Sequence, residues 1–211
     1  SAEVVFRPRL RKALERLNPN IPPDALGLAV EQFCADRSAL NPVIANREVH
    51  ALLKDGLPVT WRNEDGDACS DRVRFIDWEE SGNNEFFLAQ QMWISGEVYN
   101  KRCDLLLFVN GIPLVFIELK KPGVNVKVAY DDNLRDYKNN TIPQLWWYNG
   151  FIILSNGVES RLGSITAGWE HFGEWKKISS EGEKGVISLD TMLRRPASPP
   201  ACWTSLRTSS C

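Results

Sequence analysis

The chain has 211 residues, a formal net charge of -2, 43% hydrophobic and 25% charged residues, a balance suited to one soluble domain of ordinary size with a sizeable core. It excludes a chain that holds nucleic acid by bulk positive charge alone. Five scattered cysteines without a CxxC pair give neither a disulfide framework nor a zinc site, and with His50 and His171 as its two histidines the chain offers little for Ser-His or Cys-His catalysis.

The amino-terminal "FRPRLRKALERL" sets Leu10, Ala13, Leu14 and Leu17 on one helical stripe and basic residues on the other. "NPNIPP" ends that helix, and Asp24 is the expected N-cap of a second, in which Ala25, Leu26, Ala29, Val30, Phe33 and Cys34 recur at helical spacing. A third, short helix is expected around Asn46 to Lys54, stopping at Gly56. The period then changes. "LPVTWRN", "DRVRFIDW" and "EFFLAQQMWI" read as strands separated by "EDGD" and "ESGNN" turns. Residues 102–123, "RCDLLLFVNGIPLVFIELKKPG", read as two more strands around Asn110-Gly111. Residues 127–139 suggest a helix with Asn133 and Tyr137 one turn apart on the same side. "FIILSNG" has the pattern of a buried strand. This order predicts an α/β (α+β) sandwich. From Arg194 the sequence loses periodicity and becomes rich in Pro and Ser, as in an unstructured end. No apolar run approaches the ~18 residues of a membrane helix. An amino terminus without a signal peptide's apolar centre makes the cytoplasm the expected compartment.

The hairpin carries the chemistry. Its strands are apolar on both faces, so it belongs in the centre of a sheet, and Asp104, Glu118 and Lys120 must lie at strand ends where charge is tolerable. Parity decides whether they meet. A two-residue turn pairing Val109 with Ile112 would put Asp104 and Glu118 on opposite faces. A three-residue loop with Gly111 left-handed, pairing Phe108 with Ile112, or else a β-bulge, would put all three on one side. Two carboxylates so placed suit Mg²⁺, and Lys120 suits the orientation of a water and the stabilisation of phosphate charge. The same three residues also suit a salt bridge at a sheet edge. Glu-x-Lys occurs a second time, at Glu174 to Lys176, but there without a preceding apolar strand. Tryptophans 146, 147, 169 and 175 are read as core residues rather than stacking platforms for bases.

"RCDLLLFVNGIPLVFIELKKPG" resembles the nuclease signature of the R subunit of type I restriction enzymes, within the PD-(D/E)xK superfamily. "ALERLNPNIP", "NREVHALLKDGLPVTWRNEDGD", "VRFIDWEESGNNEFFLAQQMWI", "AYDDNLRDYKNNTIPQLWWYNGFIILSNG" and "RLGSITAGWEHFGEWK" are each similar to the same amino-terminal region. The resemblance implies a restriction-endonuclease-like core, a central mixed sheet flanked by helices. It implies catalysis by Asp104, Glu118 and Lys120, with Mg²⁺ held by Asp104, Glu118 and the backbone carbonyl of Leu119. Cys103 stands where the family usually has proline, and Asn133 and Tyr137 match its Gln-x-x-x-Tyr, with the amide one methylene shorter. A literal Gln-x-x-x-Tyr at Gln144 to Tyr148 follows Pro143 and is read as coincidence.

The domain expected from this resemblance covers residues 1–193: a mainly helical cover (1–56), the catalytic sheet and helix (57–157) and a carboxy-terminal extension (158–193). Residues 194–211 form a tail outside the fold. The expected activity is Mg²⁺-dependent endonucleolytic hydrolysis of double-stranded DNA in a bacterial cytoplasm, together with modification and specificity subunits. The sequence has no G-x-x-x-x-G-K-[ST], so ATP would serve only a motor region that this chain lacks. The alternative is a catalytically silent module that docks DNA or subunits within the restriction complex.

Overall fold

A computed structural model describes residues 3–96 and 98–174. Three helices open the chain: α1 (Arg7–Leu17), α2 (Pro23–Phe33) and α3 (Pro42–Asp55). The α1 stripe buries as its spacing requires, with Leu10, Ala13, Leu14 and Leu17 all in the core. Asp24 is not the N-cap of α2. Pro22 takes that place and Pro23 opens the helix, because the fixed φ of proline suits the first turn and its missing N–H loses nothing there. Asp24 lies in the first turn instead, where its charge complements the helix dipole. The third helix starts earlier than expected, at Pro42, where Asn41 caps it by accepting from the Val43 amide at 2.9 Å.

Strands β1 (Leu57–Arg62) and β2 (Ala68–Val73) form a separate antiparallel hairpin. The run "DRVRFIDW" is therefore strand only as far as Val73. Beyond it, Phe75 and Ile76 turn into the core, where Phe75 stacks on Phe33 at 4.3 Å. Among the described residues the main sheet has six strands in chain order: β3 (Phe86–Ser95), β4 (Asn100–Val109), β5 (Ile112–Leu119), β6 (Phe151–Ser155), β7 (Ser160–Gly163) and β8 (Gly173–Glu174). Among the described residues only the β5–β6 pair is parallel, which makes the sheet mixed and the architecture α/β.

The parallel step needs a crossover, and a helical segment over residues 127–141 supplies it. Most of that segment has wide π-type turns, at Ala129–Leu134 and Tyr137–Thr141, and the single turn α4 (Pro143–Trp146) follows. The crossover helix packs on the sheet through Tyr137, whose ring meets Phe116 edge-on at 6.1 Å, and Trp146 adds a second edge contact at 5.1 Å. Trp146 is fully buried and Trp147 nearly so, the core role expected of them. Gln144 donates to the Ser95 carbonyl and Tyr148 packs on Phe33, so both members of the literal Gln-x-x-x-Tyr have structural partners. Among the described residues no helix is long and apolar enough to cross a membrane. The expected tail, Trp175 and Lys176 of the second Glu-x-Lys lie outside the described residues.

Candidate active site at the end of the central hairpin

The central hairpin turns at Asn110-Gly111, both with positive φ (52° and 82°), and Val109 pairs with Ile112. The loop thus has two residues, not three, because Asn and Gly together accept the doubly left-handed turn that matches strand twist. Parity is corrected further along. The pairing moves from Phe108–Pro113 to Leu107–Val115, so Leu114 is an extra residue on β5. This bulge carries the register to Leu105–Ile117, and one step outward Asp104 stands across from Glu118. The turn itself is anchored. The Asn110 side chain donates to the Phe75 carbonyl at 2.9 Å and accepts from the Glu85 amide at 2.8 Å, and the Gly111 carbonyl accepts from the Phe6 amide at 2.9 Å.

The sheet is distorted at Asp104 as well. On β3 the core-facing positions are Phe87 and Ala89 before Gln90-Gln91, and Met92 and Ile94 after them. On β4 they are Cys103 before Asp104-Leu105, and Leu106 and Phe108 after them. Both strands change parity at the same rung, because Gln90 pairs with Leu105 and Met92 with Cys103 while Gln91 and Asp104 stand between them. Asp104 is therefore lifted out of the alternation, half-buried between the buried Cys103 and the half-buried Leu105. Its Oδ2 accepts from the Leu119 amide at 2.9 Å.

Glu118 is 4% exposed, and its Oε2 has no hydrogen-bond partner. Burial pushes its carboxyl up to about 7, with the Asp104 charge adding to the rise and Lys120 opposing it. Desolvation is the larger cause, because the carboxyl sits at the end of a strand buried along nearly its whole length. Lys120 follows where β5 leaves the sheet, its own amide donating to the Ser155 carbonyl of the neighbouring strand at 2.8 Å. Its ammonium lies 3.4 Å from Glu118 Oε1 and donates to Asn133 Oδ1 at 2.8 Å. Asn133 Nδ2 in turn donates to the Tyr137 hydroxyl at 3.4 Å. The crossover helix thus supplies a two-residue clasp on the lysine, and the π-type turns over Ala129–Leu134 carry it. Tyr137 places its ring in the core and its hydroxyl in this chain of contacts.

The structure therefore brings together Asp104, Glu118, Lys120, Asn133 and Tyr137, with Leu119 contributing its amide to Asp104. A buried carboxylate oxygen without a partner, across from a second carboxylate, fits a hard divalent cation that retains several waters. Among the described residues no group of three His, Cys, Asp or Glu side chains is placed to hold a metal ion, so the donor set is unlike that of a zinc site. Burial raises the Cys103 thiol to about 12, which leaves it a packing residue rather than a nucleophile. His50 faces the Asn149 carbonyl and His171 is exposed beside Glu170, so neither joins the cluster.

Sequence reasoning missed Gln91. Its amide donates to Asp104 Oδ1 at 3.2 Å from a backbone with φ 52°. The available signal was the polar pair Gln90-Gln91, which interrupts an apolar alternation where no turn occurs.

Comparison with known proteins finds relatives over most of the chain. The family model for the type I restriction enzyme R protein N terminus matches residues 1–177. The chain is 34% identical over 196 residues to the type I restriction enzyme HindI endonuclease subunit of Haemophilus influenzae, covering 90% of this chain and 18% of that protein. A protein of Methanocaldococcus jannaschii, provisionally named as the MjaIXP endonuclease subunit, is 30% identical over 215 residues, 97% of this chain and 20% of its own length. The SauMSSORF170P endonuclease subunit of Staphylococcus aureus is 30% identical over 110 residues, 52% of this chain. The chain thus spans about a fifth of the two relatives that it matches over nearly its whole length.

Proposed function

We propose, from the premise that this chain belongs to the type I restriction enzyme R protein amino-terminal family, that it is the Mg²⁺-dependent endonuclease domain of such a subunit, with a PD-(D/E)xK active site. One observation carries the reading: Glu118, buried with an unpartnered oxygen, stands across from Asp104 and within 3.4 Å of the Lys120 ammonium. In this assignment Asp104, Glu118 and the Leu119 carbonyl hold the metal. Bound there, Mg²⁺ supplies Lewis-acid polarisation of a phosphodiester and an acidified water. Lys120 orients the attacking water and places positive charge where negative charge develops on the phosphoryl oxygens. Water oxygen forms the new bond to phosphorus, the bond to the leaving oxygen breaks, and the water's proton passes to solvent or to the leaving group. Asn133 restricts the ammonium to one position, and Tyr137 restricts Asn133. Double-stranded DNA is the substrate in this reading, and the modification and specificity subunits choose the site. ATP serves a translocating motor elsewhere in the full subunit.

The test is Lys120→Ala in the assembled complex containing the full R subunit, with cleavage and ATP hydrolysis measured together. Turnover should fall about 10²-fold or more while DNA binding and ATP hydrolysis persist. Lys176→Ala, in the second Glu-x-Lys, should cut normally. Normal cutting by Lys120→Ala would overturn the assignment and favour the silent docking module.

A further inference from the structure

We infer that Gln91 is a positioning residue for the metal-binding carboxylate of Asp104, held in a strained backbone for that purpose. The inference rests on the metal reading above and concerns how its first ligand is aimed. Three observations converge. Gln91 is one of two non-glycine residues with positive φ in the described chain, and the other, Asn110, sits in a tight turn where that conformation is expected. Gln91 instead lies in the middle of a ten-residue strand, where a left-handed residue has no role in turning the chain. It stands across from Asp104 at the rung where both strands change parity. Its side-chain amide then spans the sheet to Asp104 Oδ1 at 3.2 Å.

Together with the Leu119 amide on Oδ2, this fixes the carboxylate at both oxygens. A carboxylate held by two donors cannot rotate about its terminal bond, and each oxygen keeps a further lone pair for a cation. Such outer contacts orient metal ligands, and their loss typically weakens binding about 10- to 100-fold. Gln is a poor choice for a left-handed backbone, where Gly or Asn carries less strain. A residue that fits its conformation badly yet makes a directed contact to a functional side chain points to selection for that contact.

The experiment measures Mn²⁺ binding by the whole chain from the loss of the free aqueous Mn²⁺ electron paramagnetic resonance signal, alongside melting temperature without metal. Wild type, Asp104→Ala, Gln91→Gly and Gln91→Leu are compared. Gln91→Gly relieves the strain and removes the donor. It should keep or raise the metal-free melting temperature by a few degrees while weakening Mn²⁺ binding about 10-fold. Gln91→Leu keeps the strain, loses the donor, and should show the same weakening, so the inference stays testable if the glycine variant fails to fold. Wild-type affinity in a folded Gln91 variant, with binding lost in Asp104→Ala, would overturn this inference alone. Binding that Asp104→Ala leaves intact would overturn the metal reading and this inference with it.

Discussion

Glu118 illustrates how one buried side chain can be a liability to the fold that holds it. Its carboxyl is pushed up to about 7 from an ordinary value of 4.5, chiefly by burial. A raised carboxyl means that the folded chain binds the proton more tightly than the unfolded chain. Its contribution to stability is complete below about 4.5 and is lost as pH rises through about 7. Without metal, Glu118→Gln should therefore melt higher than wild type at pH 8, by an amount on the order of 1 to 3 kcal/mol, and the advantage should shrink toward pH 4.5. Thermal melts in chelator across that range check it, and a gap independent of pH would rule it out. Lys138, on the crossover helix, gives the mirror case. Burial lowers its ammonium from 10.5 to about 8 while it donates to the Ile165 carbonyl. The cost is present in full below about 8 and fades as pH rises toward 10.5. Lys138→Met should thus stabilise the chain near pH 7 by roughly 1 to 2 kcal/mol, after discount for solvent screening, and converge with wild type above pH 10.

The elements show which parts of this site a sequence can specify. Apolar runs either side of Asn-Gly announced a central hairpin, and the chemistry of its ends required Asp104 and Glu118 to share a face. That requirement called for an odd loop or a bulge with Gly111 left-handed, and the structure has the bulge. Its location at Leu114 was not legible, because a buried strand of Ile, Leu, Val and Phe looks the same wherever an extra residue is inserted. The distortion at Gln91 was hidden for the related reason that glutamine does not advertise a left-handed backbone. Helical spacing placed Asn133 and Tyr137 together, but it could not foresee π-type turns, which depend on packing against the sheet. The turn gives a direct check. A Cβ on Gly111 would come within 2.7 Å of the Phe6 carbonyl oxygen at a φ of +82°. Gly111→Ala should therefore destabilise by roughly 2 kcal/mol or more, measured by urea unfolding. Gly66→Ala, also at positive φ but in open space, should lose less, because it meets the backbone cost alone.

Across the whole molecule, the site is assembled from parts of unequal range in the chain. Asp104 and Glu118 lie on adjacent antiparallel strands joined by a two-residue turn, whereas Asn133 sits in the crossover that must close before β6 can pair in parallel with β5. Closing a short hairpin takes microseconds, and a long crossover to a parallel strand forms later because its contacts repay the loop entropy only when complete. The carboxylate pair is thus free to exist before the lysine has its clasp. In refolding from urea, Phe116→Leu, which disturbs the seat of Tyr137 and Trp146, should mainly speed unfolding, while Gly111→Ala should slow folding. The order of assembly follows from the topology: the chain sets its two carboxylates side by side first, and only afterwards fastens the ammonium beside them.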